Sequence, residues 1–124
     1  MIRFLLGLPF SFRQTRLANS RPRIDKAEFV LRVVSQGGDR RGAEILWDAL
    51  VSNWANKGFS PYPEDSLGRV FGIADEELDD DLISHTLNSL ELPLPNREFT
   101  KRFGEIDTPL RIAQLVSECR QRPS

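Results

Sequence analysis

The chain is short of the residues on which most catalytic and metal chemistry depends. Its 124 residues include one cysteine, Cys119, and one histidine, His85. A single cysteine excludes an intrachain disulfide framework and a cysteine-based zinc cluster. A single histidine excludes a two-histidine metal site. Long hydrophobic runs are also missing. The mean hydropathy is −0.37 and apolar stretches last only a few residues, so no transmembrane helix is expected. There is no excess charge of one sign either: the net charge is −1. A chain so close to neutrality gives no global case for nucleic-acid binding. These absences thin the hydrolase, metalloenzyme and redox classes, and no enzyme is expected.

What is present is the profile of one soluble globular domain, with 40% hydrophobic and 28% charged residues. The neutral total hides an asymmetry. Residues 1–24 carry Arg3, Arg13, Arg16, Arg21 and Arg23 and no acid, a charge of +5, which leaves −6 for the rest. The apolar patch from Ile2 to Phe10 is broken by Gly7 and Pro9 and lacks a small-residue cleavage site. It therefore fits a secretory signal poorly and an organellar transit peptide somewhat better. Residues 1–24 are read as a basic, flexible segment, and residues 25–124 as a single helical domain.

Within that domain the periodicity is helical. Residues 25–36 form a first helix, an addition over 25–39 that ends at Gly37-Gly38, although Val30, Val33 and Val34 would also suit a strand. Over 40–57, Ala43, Leu46, Trp47, Leu50, Val51 and Trp54 make one apolar stripe, with Gly58 placed to end the helix. Residues 58–74, broken by Pro61 and Pro63, read as a loop anchored by Leu67, Val70, Phe71 and Ile73. A helix over 75–90 buries Leu78, Leu82, Ile83, Leu87 and Leu90. Asp75 caps it and Glu76, Glu77, Asp79, Asp80 and Asp81 load its positive end. Residues 97–103 suit a short helix. Thr108 as N-cap and Pro109 at the first helical position open the last one, with Leu110, Ala113, Val116 and Cys119 on one face. No strand alternation appears. The expected class is all-α, a small bundle of about four to five helices.

Residues 40–121 resemble an acyl carrier protein. Pro63-Glu64-Asp65-Ser66-Leu67 followed by Phe71-Gly72 looks like the family's first loop. Asp75-Glu76-Glu77-Leu78 stands where the family has Asp-Ser-Leu at the head of an acidic helix. Leu94-Pro95 matches the loop ending in Ile-Pro, and Ile106-Asp107-Thr108-Pro109 matches the entry to the final helix. The resemblance implies a carrier-like bundle whose second helix docks partner enzymes. It also implies a serine esterified to phosphopantetheine, and here this chain departs: that position holds Glu76 or Glu77, neither of which can form the phosphodiester. The literal Asp65-Ser66-Leu67 offers a rival register with Ser66 as attachment site. It places Gly68 and Gly72 inside a helix at about 1 kcal/mol each, and leaves 42 residues between Ser66 and Thr108. Ser66 is better read as a loop or cap residue.

Other constellations fail on chemistry. The acidic run resembles an EF-hand loop at alternate positions, but Asp80 and Thr86 occupy the places that need Gly and Glu. It serves instead as a solvated helix start or as a face for a basic partner. His85 has no nucleophile to activate and reads as a boundary or surface residue. Cys119 reads as a small buried hydrophobe. Trp47 and Trp54 read as core, or as a partner anchor if exposed. The Gly37–Gly42 stretch lacks the Gly-Lys-Ser/Thr of a P-loop.

The expectation is a non-catalytic, acyl-carrier-like, cytoplasmic interaction module without cofactor or metal. Asp75, Glu76, Glu77, Asp79, Asp80 and Asp81 would dock a protein with a basic patch. The alternatives are a working acyl or peptidyl carrier with phosphopantetheine on Ser66, or a regulatory, membrane-peripheral protein whose Phe4, Phe10 and Phe12 touch anionic lipid. An organellar location would follow if residues 1–24 are a transit peptide.

Overall fold

The computed structural model describes residues 12–73, 82–93 and 106–121, and every regular element among them is helical. There are six: α1 (12–20), α2 (Lys26–Ser35), α3 (Arg40–Asn53), α4 (Leu67–Phe71), α5 (Ser84–Ser89) and α6 (Pro109–Gln121). The small helical bundle expected from the periodicity is therefore present, with α1 and α4 additional to the expected set. Among the described residues no helix is long and apolar enough to cross a membrane.

The centre of the bundle is α3, which packs against α2, α5 and α6. Asp39 caps α3, its carboxylate accepting from the Gly42 amide at 2.8 Å. Ala43, Leu46, Ala49 and Leu50 then turn inward at helical spacing. On α2 the valines that would suit a strand are helical. Asp25 accepts from the Glu28 amide at 2.8 Å, and Phe29, Val30 and Val33 are buried. The cap starts the helix and burial of its apolar face outweighs the modest β preference of valine. Gly38 carries the chain from α2 to α3. A Cβ there would lie 2.3 Å from Val33 Cγ1 and 3.0 Å from Ala113 Cβ, so this approach to α6 requires glycine.

Helix α6 begins as its sequence signals. Thr108 Oγ1 accepts from the Arg111 amide at 3.2 Å, and Pro109 is the first helical residue. Its buried face is rotated slightly from the expected stripe. Ile112, Ala113, Leu115 and Val116 are buried, while Leu110 and Cys119 pack half-buried at the edge. At the other end Arg120 Nε reaches Asp39 Oδ1 at 2.6 Å, joining the last turn of α6 to the cap of α3.

Three expectations are corrected. Helix α3 ends at Asn53 rather than 57, with Trp54 as its C-cap. The reason is a side chain from elsewhere: Gln14 donates to the Trp54 carbonyl at 3.1 Å and accepts from the Asn56 amide, taking groups that a longer helix would use itself. Gly58 accordingly lies in a turn beyond the helix end. Second, the loop 58–74 contains α4, a short helix started by Ser66 and stopped by Gly72 at φ +70°. Its expected anchors Leu67, Val70, Phe71 and Ile73 are all buried. Third, residues 12–24, expected to belong to a flexible segment, are ordered against the bundle. Helix α1 buries Gln14, which also donates to the Val70 carbonyl at 2.9 Å. Pro22 disfavours helical geometry at Arg21 and ends α1 there.

The expected helix 75–90 is seen in its second half, where Leu82, Ile83 and Leu87 are buried. Buried Thr86 is satisfied by donating to the Leu82 carbonyl at 2.8 Å. The helix expected over 97–103 lies outside the described residues.

Candidate functional site

The turn that carries the literal Asp-Ser-Leu is held from several directions at once. Ser66 heads α4, and its Oγ accepts from the Arg69 amide at 3.1 Å. Both flanks are tied to the entry of α6. The Leu67 amide donates to the Asp107 carbonyl at 2.8 Å, and the Leu110 amide donates to the Pro63 carbonyl at 3.0 Å. From the α2 side, Gln36 donates to Glu64 at 3.0 Å. Ser66 itself is only half exposed. Its hydroxyl is thus placed as a capping group in a clamped turn.

Beside it, Asp65 is buried and fully engaged. Arg21 grips both carboxylate oxygens at 2.7 Å, and the Tyr62 amide donates to Oδ2 at 2.9 Å. The same guanidinium donates to the Ser60 carbonyl at 3.1 Å. It also lies 3.8 Å from the centroid of the Tyr62 ring and 5.3 Å from that of Phe59. A planar guanidinium suits this combination of fork and stacking contacts in a way that lysine does not. Two more bonds lace the same corner: Ser60 Oγ donates to the Ile24 carbonyl at 2.7 Å, and Tyr62 Oη donates to the Pro22 carbonyl. The cluster joins the end of α1 to the 59–66 loop.

Chemically this corner is closed. A small open cleft of about 70 Å³ runs past Ala18, Arg21, Arg23, Gly58 and Phe59, room for about two waters. The Arg21 charge is already met by Asp65, and among the described residues no base is hydrogen-bonded to the Ser66 hydroxyl. Gln14, Ser60 and Tyr62 were not marked by the sequence, and Asp65 and Arg21 were noted there only as part of a motif and of a basic segment, not as partners. The one local hint is Asp65 three residues after Tyr62, the spacing at which a carboxylate can bond a turn's backbone.

The other candidates fall elsewhere. Asp75, Glu76, Glu77, Asp79, Asp80 and Asp81 lie outside the described residues. His85 is exposed on α5, as a surface histidine should be. Cys119 is half-buried on α6, against the core. The Trp47 ring packs on Phe29 with centroids 5.4 Å apart, and Trp54 is partly buried against the core, so both serve packing. Among the described residues no group of three or more His, Cys, Asp and Glu side chains could hold a metal ion. No protein-family model, no curated protein and no solved structure matches the chain.

Proposed function

We propose that this chain is a non-catalytic interaction module with an acyl-carrier-like bundle. In this reading it carries no phosphopantetheine and docks a protein with a basic patch through the acidic segment Asp75–Asp81. The observation that carries the proposal is the role of Ser66. The serine of the chain's Asp-Ser-Leu caps a five-residue helix in a turn tied on both flanks to α6. The position that the resemblance assigns to the attachment serine holds Glu76 or Glu77. The packing of α3 on α5 and α6 is compatible with a carrier-like bundle. Blocks of like charge such as 75–81 commonly act as recognition faces.

Two measurements test it. Intact mass after co-expression with a phosphopantetheinyl transferase should equal the mass of the bare chain. An added prosthetic group that disappears in Ser66→Ala would install the carrier reading instead. Reversing Asp79, Asp80 and Asp81 to lysine should abolish recovery of the partner in a pull-down. Unchanged recovery would reduce the cluster to a solvated helix start.

A further inference from the structure

The outer face of α1 and the two segments beneath it carry exposed cations, with an exposed aromatic at the start of the helix. Gln14, Leu17 and Arg21 turn toward the bundle. Phe12, Arg16 and Asn19, at i, i+4 and i+7, therefore share the opposite line of the helix. Phe12 is 72% exposed, and Arg13, Arg16 and Asn19 are exposed around it. The contacts of α1 identify what flanks that face. Arg13 donates to the Arg69 carbonyl at 3.0 Å, which places α4 on one side. Gln14 holds Trp54 and Asn56, and Ala18 shares a cleft with Arg23 and Gly58, which brings the segment that carries Lys57 against α1 as well.

As far as the described residues go, those three segments, 12–24, 54–60 and 67–73, contain Arg13, Arg16, Arg21, Arg23, Lys57 and Arg69 and no acid, and the acidic run that begins at Asp75 lies outside the described residues. Arg21 is neutralised by Asp65. The other ion pairs among the described residues use Lys26, Arg32, Arg41 and Arg120, all outside this surface. Arg13, Arg16, Arg23, Lys57 and Arg69 are thus exposed and outside the ion pairs of the described residues.

We infer that this face binds an anionic lipid bilayer surface, with Phe12 entering the headgroup boundary and Arg13, Arg16, Arg23, Lys57 and Arg69 meeting lipid phosphates and carboxylates. Charge complementarity selects an anionic partner. The aromatic selects a bilayer over nucleic acid, because a bilayer rewards apolar burial beside the cations. The chain leading into α1 points the same way by composition: Ile2, Phe4, Leu5, Leu6, Leu8 and Phe10 with Arg3 and no acid.

Flotation of the full chain with phosphatidylcholine vesicles, with and without phosphatidylserine, tests this directly. The chain should float with the phosphatidylserine vesicles only, and release as salt rises toward about 1 M, where the Debye length falls to about 3 Å. Arg16→Gln should weaken partition about fivefold, and Asn19→Lys should strengthen it about fivefold, the effect expected of one charge near such a surface. Phe12→Ser should weaken binding while leaving its salt dependence unchanged. Circular dichroism identical to the parent chain shows that each variant is folded. Equal flotation with both vesicle types, or with neither, would overturn the inference. So would undiminished binding by a folded Phe12→Ser/Arg16→Gln double variant, which would transfer the affinity to residues outside α1. A single-stranded RNA that displaces the chain from vesicles would replace the bilayer with nucleic acid.

Discussion

Two of the interfaces that hold this bundle together are built from different chemistry. Where α2, α3 and α6 meet, Phe29, Val33, Leu46, Leu50, Ile112 and Val116 are fully buried, and the seam is apolar. Beneath α1 and the loop it covers, Phe59, Val70 and Phe71 are buried as well, but polar groups are buried among them: the Gln14 amide and the Asp65 carboxylate, with the Arg21 guanidinium partly buried. An apolar seam tolerates small shifts because hydrophobic burial has no direction. The polar corner does not, since each buried group there needs a named partner in a narrow geometry. The contrast explains why α1 is set in one position although it offers little apolar surface. It also explains why a single lost partner in that corner should matter as much as a lost core side chain.

The strongest way to break the comparison is Asp65→Ala. It leaves the Arg21 guanidinium partly buried without its counter-charge, and should cost about 3 to 5 kcal/mol in urea unfolding. Pairing Arg21→Met with Asp65→Asn removes the orphaned charge and keeps an acceptor for the Tyr62 amide, so part of that loss should return. A double variant no better than Asp65→Ala would mean that the ion pair is not what orders the corner. Next comes Leu46→Ala in the apolar seam, expected to cost about 2 to 5 kcal/mol through lost burial and a residual cavity. If Leu46→Ala proved nearly neutral while Asp65→Ala unfolded the chain, the polar corner rather than the seam would dominate stability. The smallest effect should come from Ser66→Ala, about 1 kcal/mol for loss of an N-cap. A larger loss in Ser66→Ala would show that the hydroxyl does more than cap α4.

Much of the apolar seam is legible in one dimension. Leu46 and Leu50 follow the 3.6-residue period, and Thr108-Pro109 signals the start of α6 by local chemistry alone. The anchors of the 58–74 loop are legible too, since large apolar residues clustered after Pro61 and Pro63 gain by burial against the core. The short helix there is less so: a cap and a left-handed glycine enclose only five residues, too few to show a period. The polar corner is barely legible, its one local hint being the spacing of Tyr62 and Asp65. Gln14 resembles any surface residue until the Trp54 and Val70 carbonyls, 40 and 56 positions away, are brought to it. Arg21 belongs to an arginine-rich segment whose composition suggests a tail. Its partner Asp65 is 44 positions distant. For the candidate site the balance is similar. The reading of Ser66 as a cap needed only its neighbours, whereas the clamping of its turn depends on Pro63, Asp107 and Leu110 meeting in space.

What the sequence determined by itself is the set of relations that act within a few residues: helical class, much of the apolar faces of α3 and α6, the cap at Thr108, and the exclusion of an intrachain disulfide framework and of a two-histidine metal site. Each depends on spacing or on a side chain reaching its own backbone. Tertiary structure decided the end of α3, the docking of α1, the burial of Asp65 against Arg21, and the cationic face that this docking leaves outside. These depend on polar groups far apart in the chain satisfying one another in the interior. Such pairings have no period, and their energy exists only once the fold has removed both partners from water.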